Sequence, residues 1–470
     1  MAEQIKYHIA GGMSRDQLDA MNEKVLETLE VIGMDVQNGN ILEFVRNIPG
    51  FSVCGGNVRF SRGLIAECMQ KQKAARIKNP SVPPEDRPWR LRILTGYPFF
   101  LADYKTLTVK PFMESDVIRY TKLVDTLHPR GVTGSTPGAP QDVDPMIRDI
   151  RSYQIGEKYC RGGGEIGNIS GPAVARWLYR LLELKGRPKG LGLFAVNPLK
   201  AEGATFDTLY EFRKELKYIM VACMPQMGVS SPVGILGTYV VALAAVWGSY
   251  ALANALTGIE DMGFFCYAWP THMKTMDIAY GTPEAAFSEL VNRQLTEYYG
   301  WGENDSNCFH SSAPVPDIQA GYQRGAFGMM AALNGDRCFR FGGLLGTDLV
   351  FSPEMLLGDL EAMEYTRRVA EGIAFDEGAF MMEAIRETGA SGTFLDHETT
   401  LGYRGHLWDP RLFVHESTPT WAMGGAKTIL DRAHDEIEGL IESFDYRLDE
   451  DTERELDKIC LLAEKDLLGI

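Results

Sequence analysis

The side chains of this chain that could do chemistry are mostly aromatic, and they fall where short apolar runs end. Tyr97 and Phe99 follow LRILTG, Asn197 follows LGLFAV, and Gln226 follows YIMVACM. Tyr267, Trp269 and His272 lie in CYAWPTHM, Phe309 and His310 in NCFHSS, and Phe341 in FRFGG. Aromatic rings with few carboxylates among them suit a cation. A quaternary ammonium has no N–H to donate and is held by ring faces, at roughly 0.5–2 kcal/mol per contact. Any one ring could equally be core packing; their common position at run ends is what suggests a pocket. A second group, FLDHETTLGYRGHLWDP, gathers His397, Tyr403, Arg404, His406 and Trp408. It reads either as a wall whose Arg404 or His397 binds a substrate carboxylate, or as a structural loop.

Other chemistries find less support. Gly162-Gly163-Gly164-Glu165-Ile166-Gly167 has the letters of a dinucleotide fingerprint, but Asn168, Ser170, Gly171 and Pro172 separate it from the next helix, so a crowded strand or tight turn is expected. The sequence carries no P-loop, no H-E-x-x-H and no serine elbow. Cys308 and His310 form the one close Cys/His pair, and two ligands do not make a zinc site, so no bound metal is expected.

These residues need elements to carry them. Residues 14–75 open with Leu18, Met21, Val25, Leu29 and Ile32 at helical spacing behind Ser14 as an N-cap. Pro80, Pro83, Pro84 and Pro88 then break the pattern, setting an N-terminal helical extension (1–90) apart from the main body. Strands are predicted at 91–96, 131–134, 191–197, 218–224, 262–269, 304–310 and 336–343, with another near 162–170. Helices are predicted at Pro172–Leu184, Phe206–Leu216, Pro232–Leu256, Pro283–Tyr299, Asp317–Leu333 and Pro353–Arg368. Eight strands alternating with helices point to a TIM-type (β/α)₈ barrel over 91–375; a doubly wound sheet would give similar spacing. A barrel puts its site at the carboxyl ends of its strands, where the aromatics lie. Residues 376–470 are predicted to cover the barrel and end in an acidic helical tail.

At 470 residues and 45% hydrophobic, the chain can bury a large core. Its net charge of −16 is dispersed and no basic cluster alternates with aromatics, so nucleic acid is not an expected partner. The uncharged stretch from Gly234 to Leu256 is long enough for a membrane span, but its small residues and the polar Thr238, Ser249 and Asn254 favour a buried helix or an oligomer interface. The start of the chain has no signal-peptide pattern, and eight cysteines without a CxxC pair fit reduced thiols; a cytoplasmic, homo-oligomeric enzyme is expected.

Several segments resemble the trimethylamine methyltransferase family: SSPVGILGTYVVALAAVWGSYALANAL, GTPEAAFSELVNRQLTEYYG, VPDIQAGYQRG, GGLLGTDLVFSPEMLLGDLE and GTFLDHETTLGYRGHLWDP. The resemblance implies a TIM-barrel enzyme that passes a methyl group from an amine to the cob(I)alamin of a separate corrinoid protein. The founding enzymes carry pyrrolysine shortly before the D-x-Q-A-G motif, near Phe309–Ser311 here, where this chain has ordinary residues and His310 stands closest. The branch without pyrrolysine is associated with quaternary amines such as glycine betaine, proline betaine and carnitine. The resemblance thus implies His310 as the residue that handles substrate, with methylcobalamin formed on the partner. Zinc-assisted methyl transfer from another donor, or a non-catalytic barrel, are the alternatives.

Overall fold

The computed structural model describes residues 3–80, 82–83, 86–167, 169–302 and 305–470. Pro84, Asn168 and Asn304, which figure in the expectations above, lie outside the described residues. The architecture is mixed α/β, with five sheets among the described residues. Two of them are purely parallel. In one, Tyr218–Cys223 pairs with Gly190–Phe194 on one side and Gly263–Cys266 on the other. In the other, Arg90–Arg92 lies between Val132–Thr133 and Cys338–Arg340, and Ser306 adds a parallel bridge to Phe339. Along each parallel strand the residues facing the helices are apolar and buried: Leu91, Leu193, Val221 and Phe339 are all closed to solvent.

The helices follow the capping signals. Pro172–Leu184 and Pro283–Tyr299 span the predicted residues, each with proline at its first position. Asp317 caps Ile318–Leu333 by accepting the amide of Ala320, and Ser14 forms a capping box with Gln17 ahead of Arg15–Glu27. Two predicted strands differ. Residues 162–170 form no strand among those described, because the glycines serve close approach: a Cβ on Gly164 would stand 2.4 Å from the Tyr153 carbonyl oxygen, and one on Gly167 2.3 Å from that of Thr95. Residues 305–310 contribute the single bridge at Ser306.

The N-terminal segment is not wholly helical. It contains Met34–Val36 and the hairpin Phe51–Cys54/Asn57–Phe60, and Met34–Val36 pairs in parallel with Lys200–Ala201. Helices Arg15–Glu27 and Arg62–Lys78 pack on Ile235–Thr257, the helix long and apolar enough for a membrane, and most of its apolar stretch is buried inside the protein. That second layer explains why this helix is apolar all round: one flank faces the parallel strands and another the extension. At the other end, Ile429–Glu442 and Glu450–Leu468 lie against Glu114–Leu127, Arg148–Tyr159, Pro172–Leu184 and Pro353–Glu371. Acidic tail residues meet bases there: Glu436 stands 2.6 Å from Arg130, Glu438 2.5 Å from Arg119 and Asp457 2.7 Å from Lys158. Between these helices and the main body, residues 376–425 stay largely exposed, with Phe380, Phe394, Leu395, Leu401, Leu407 and Met423 open to solvent.

Candidate functional site

The carboxyl ends of the parallel strands are followed by loops that bring four aromatic side chains together. Trp269 follows Gly263–Cys266 and hydrogen-bonds through its backbone to Pro225 and Met227, which follow Tyr218–Cys223. Phe341 directly follows Cys338–Arg340. Tyr280 precedes Pro283–Tyr299, and His310 ends the segment bridged at Ser306. His310 is at the centre, 4% exposed. Its ring is stacked on Tyr280 at 4.1 Å and 7°, and on Phe341 at 3.6 Å and 15°. Two rings so nearly parallel to one imidazole cannot share a face, so they enclose it. Trp269 meets its side edge-on at 5.0 Å, and Tyr267 stacks behind Trp269 at 5.3 Å.

A carboxylate completes the enclosure. Leu344–Leu345 and Val350–Phe351 form a hairpin whose turn holds Thr347 and Asp348 at φ of 56° and 72°. Aspartate tolerates this left-handed conformation better than most residues. The turn places Asp348 Oδ1 3.1 Å from His310 Nε2, and Oδ2 accepts a 2.9 Å hydrogen bond from the Tyr280 hydroxyl. The His310 contact is close enough for an ion pair yet not aligned as a hydrogen bond, and neither ring nitrogen has an aligned partner. Burial, with the charge of Asp348 beside it, pushes the Tyr280 phenol well above its ordinary range, so it keeps its proton and donates. Burial and the same carboxylate also raise Tyr97.

Phe341 itself has φ of 74°, an uncommon conformation for a bulky residue that costs about 1–3 kcal/mol and must be imposed by its surroundings. The imposing contacts are buried. Arg324, 1% exposed, stands 2.6 Å from Asp359 and also donates to the carbonyl of Leu344; Asp359 accepts the amide of Gly343 at 2.7 Å. The D-x-Q-A-G stretch therefore caps a helix whose Arg324 pins the loop after Phe341. Below the rings, the Tyr267 hydroxyl donates to the carbonyl of Asp305, whose carboxylate pairs with Arg340 at 3.0 Å.

The structure brings Tyr267, Trp269, His310 and Phe341 into one buried cluster, with Gln226 alongside through its backbone bridge to Trp269. Tyr97 is half open and stacked on Phe99. Asn197 accepts from the thiol of Cys223 at 3.0 Å. Phe99 and Asn197 thus meet other partners, and three further residues sit in loops away from the cluster. His272 is exposed on a hairpin and contacts Thr275; His397 caps Glu398–Tyr403 and contacts Glu387 and Thr399; Arg404 is exposed in the same segment. Each was singled out by its chain neighbours, and its loop folds outward. Tyr280 and Asp348 were missed, although both sit in or beside stretches that resemble the family. Cys308 is sealed in the core next to Phe309, its thiol pushed up by burial. Among the described residues, one group has ligand atoms close enough for a metal: Asp125, His128 and Cys160. It gathers around the carbonyl of Gly134, next to Val132–Thr133. Both Asp125 oxygens are taken by Arg161, and His128 Nε2 faces the Gly134 carbonyl at 3.1 Å, so these groups are satisfied by protein.

Residues 187–463 match the model of the family described as trimethylamine methyltransferase (MTTB). The chain belongs to that family. It is an enzyme, a methyltransferase. It is similar to the glycine betaine methyltransferase of Desulfitobacterium hafniense (strain Y51), 23% identical over 443 residues and covering 91% of each chain. It is also similar to the trimethylamine methyltransferase MttB of Desulfitobacterium hafniense (strain DSM 10664 / DCB-2), 21% identical over 458 residues, 92% of this chain and 90% of that one. Among solved structures, the monomethylamine methyltransferase of Methanosarcina barkeri aligns over 93% of this chain and 97% of its own, with a TM-score of 0.44 and 12% identity.

Proposed function

We propose that this trimethylamine methyltransferase family member moves a methyl group from a quaternary amine to the cobalt of a corrinoid carried by a partner protein. The observation that carries the proposal is the enclosure of the His310 ring by Tyr280, Phe341, Trp269 and Asp348: three ring faces or edges and one carboxylate around a position that a flat, cation-sized group fills. Such an enclosure binds an ammonium that has no N–H to give, and the carboxylate adds charge attraction in a buried setting. The similarity to a glycine betaine methyltransferase supports a betaine-like substrate.

We read the two parallel sheets as arcs of one (β/α)₈ barrel over 91–375, with 1–90 and 376–470 as flanking segments, and we place the methyl group at its open end; the parallel pairing within each sheet supports this reading. The corrinoid accepts the methyl group. The protein's part is to orient the N-methyl carbon and exclude water; the leaving amine departs neutral, so no general acid is required at the nitrogen. Around the mouth, Val229, Val233, Leu236, Met273 and Met276 are exposed apolar residues, which supports docking of a partner there. The exposed apolar side chains of 376–425 support self-association into a homo-oligomer. A screen of glycine betaine, proline betaine, carnitine and trimethylamine against cob(I)alamin, followed by its absorbance, tests the proposal. Methylation by one or more quaternary amines is expected. Methylation by trimethylamine alone, or by none, would overturn it.

A further inference from the structure

His310 occupies the place that the proposed substrate cation needs. Its ring lies between the faces of Tyr280 and Phe341, against the edge of Trp269 and 3.1 Å from a carboxylate oxygen, at 4% exposure. Imidazole is flat, can carry positive charge and has the same partners a methylated ammonium would choose. It is also held without direction: neither ring nitrogen has an aligned hydrogen-bond partner, so ring stacking and packing keep it there. The backbone amide of His310, bonded to the Asn307 carbonyl at 3.2 Å, anchors the residue independently of its side chain.

The enclosure has a second property. Its fixed charge is negative, from Asp348, and the cations singled out by sequence for a substrate carboxylate, Arg404 and His397, lie elsewhere. A zwitterion entering this position would put its carboxylate near Asp348, where neither Arg404 nor His397 is at hand to answer it and Arg340 is already paired with Asp305. Moving His310 supplies a donor.

We propose that His310 is the internal occupant of the ammonium box and the specificity determinant for betaine-like substrates. The substrate's quaternary ammonium displaces the imidazole from between Tyr280 and Phe341 and takes over its contact with Asp348. The displaced imidazole then donates a ring N–H to the substrate carboxylate. One side chain thus closes the box in its absence and reads the far end of the ligand in its presence. A quaternary amine lacking a carboxylate must displace the same ring and receives nothing in return, so it binds less well. This exchange rests on the proposed function, which gives the box a quaternary ammonium to hold.

The test is calorimetric binding of glycine betaine and of tetramethylammonium to the full-length protein and to His310→Ala, with thermal unfolding to check the fold. Emptying the box should tighten tetramethylammonium at least about threefold and weaken glycine betaine at least about fivefold, so the two move in opposite directions. If both weaken together, or neither changes, the exchange is wrong while the box survives. If the wild-type protein binds neither ligand, the proposed function falls and the exchange with it. His310→Phe guards against a folding artefact: a neutral ring that keeps the box filled should weaken both ligands, and undiminished tetramethylammonium binding would overturn the displacement step.

Discussion

The hydroxyl of Tyr280 lies 2.9 Å from Oδ2 of Asp348, and the other oxygen of that carboxylate lies 3.1 Å from His310. The two contacts aim a partly buried carboxylate into a ring of aromatics.

Asp348→Asn keeps the shape of the turn and removes the charge. It should lower kcat/KM for a quaternary amine at least about tenfold, near 1.4 kcal/mol of transition-state stabilisation. Tyr280→Phe, which removes only the aiming hydrogen bond, should cost less. The double variant should lose less than the sum, since both changes act on one contact. Steady-state kinetics of the three variants check this.

Arg324 and Asp359 are both closed to solvent, and the pair holds the loop after Phe341. Burial pushes the Asp359 carboxyl up to about 6, against the pull of Arg324. Arg324→Met would leave a buried acid without its partner and should cost about 3–5 kcal/mol in urea unfolding. Arg324→Met with Asp359→Leu should recover part of that stability but not the activity, because the Gly343 amide and the Leu344 carbonyl lose their anchors.

Burial, then the charge of Asp336, pushes the Glu289 carboxyl up to about 8, and burial against the attraction of Arg293 pushes Asp336 up to about 7. In the unfolded chain both ionise near pH 4. Between about pH 5 and 8 the unfolded state therefore releases protons that the folded state keeps, and stability should fall as pH rises. Glu289→Gln should flatten part of that slope and leave the protein roughly 1–3 kcal/mol more stable than wild type at pH 8. Chemical denaturation across this pH range would show it; a slope unchanged by the substitution would contradict it.

Val233 and Met273 approach each other around Gly228 and are 67% and 61% exposed. Val233→Asp with Met273→Asp should raise the KM for the partner corrinoid protein at least about fivefold while leaving the reaction with free cob(I)alamin nearly unchanged. A loss in both assays would place these residues in the site itself.

Much of the scaffold was legible because local rules decide it. Pro172 and Pro283 start helices where proline prefers to, and Asp317 caps the next one. The apolar runs at 190–194 and 218–223 are strands because both of their faces are covered. Where packing overrides pattern, legibility ended. Residues 162–170 look strand-like, but their glycines serve close contacts with Tyr153 and Thr95. The rings of Trp269, Phe341 and His310 were legible from their place at run ends. Tyr280 and Asp348 were not: one lies in a loop ahead of a helix, and the other reaches the box only through a left-handed turn. His272, His397 and Arg404 show the converse, since a chemistry-rich stretch says nothing about the direction in which its loop folds.

The most direct test of the ammonium box is methyl transfer from the quaternary amine that the screen selects, measured for wild type and for folded Trp269→Leu. Loss of the ring edge should lower kcat/KM at least about tenfold in protein that unfolding shows to be folded at the assay temperature, where the cavity left by the ring lowers the melting temperature without emptying the native state. Transfer by Trp269→Leu at the wild-type rate would contradict the assignment of these aromatics to the substrate cation.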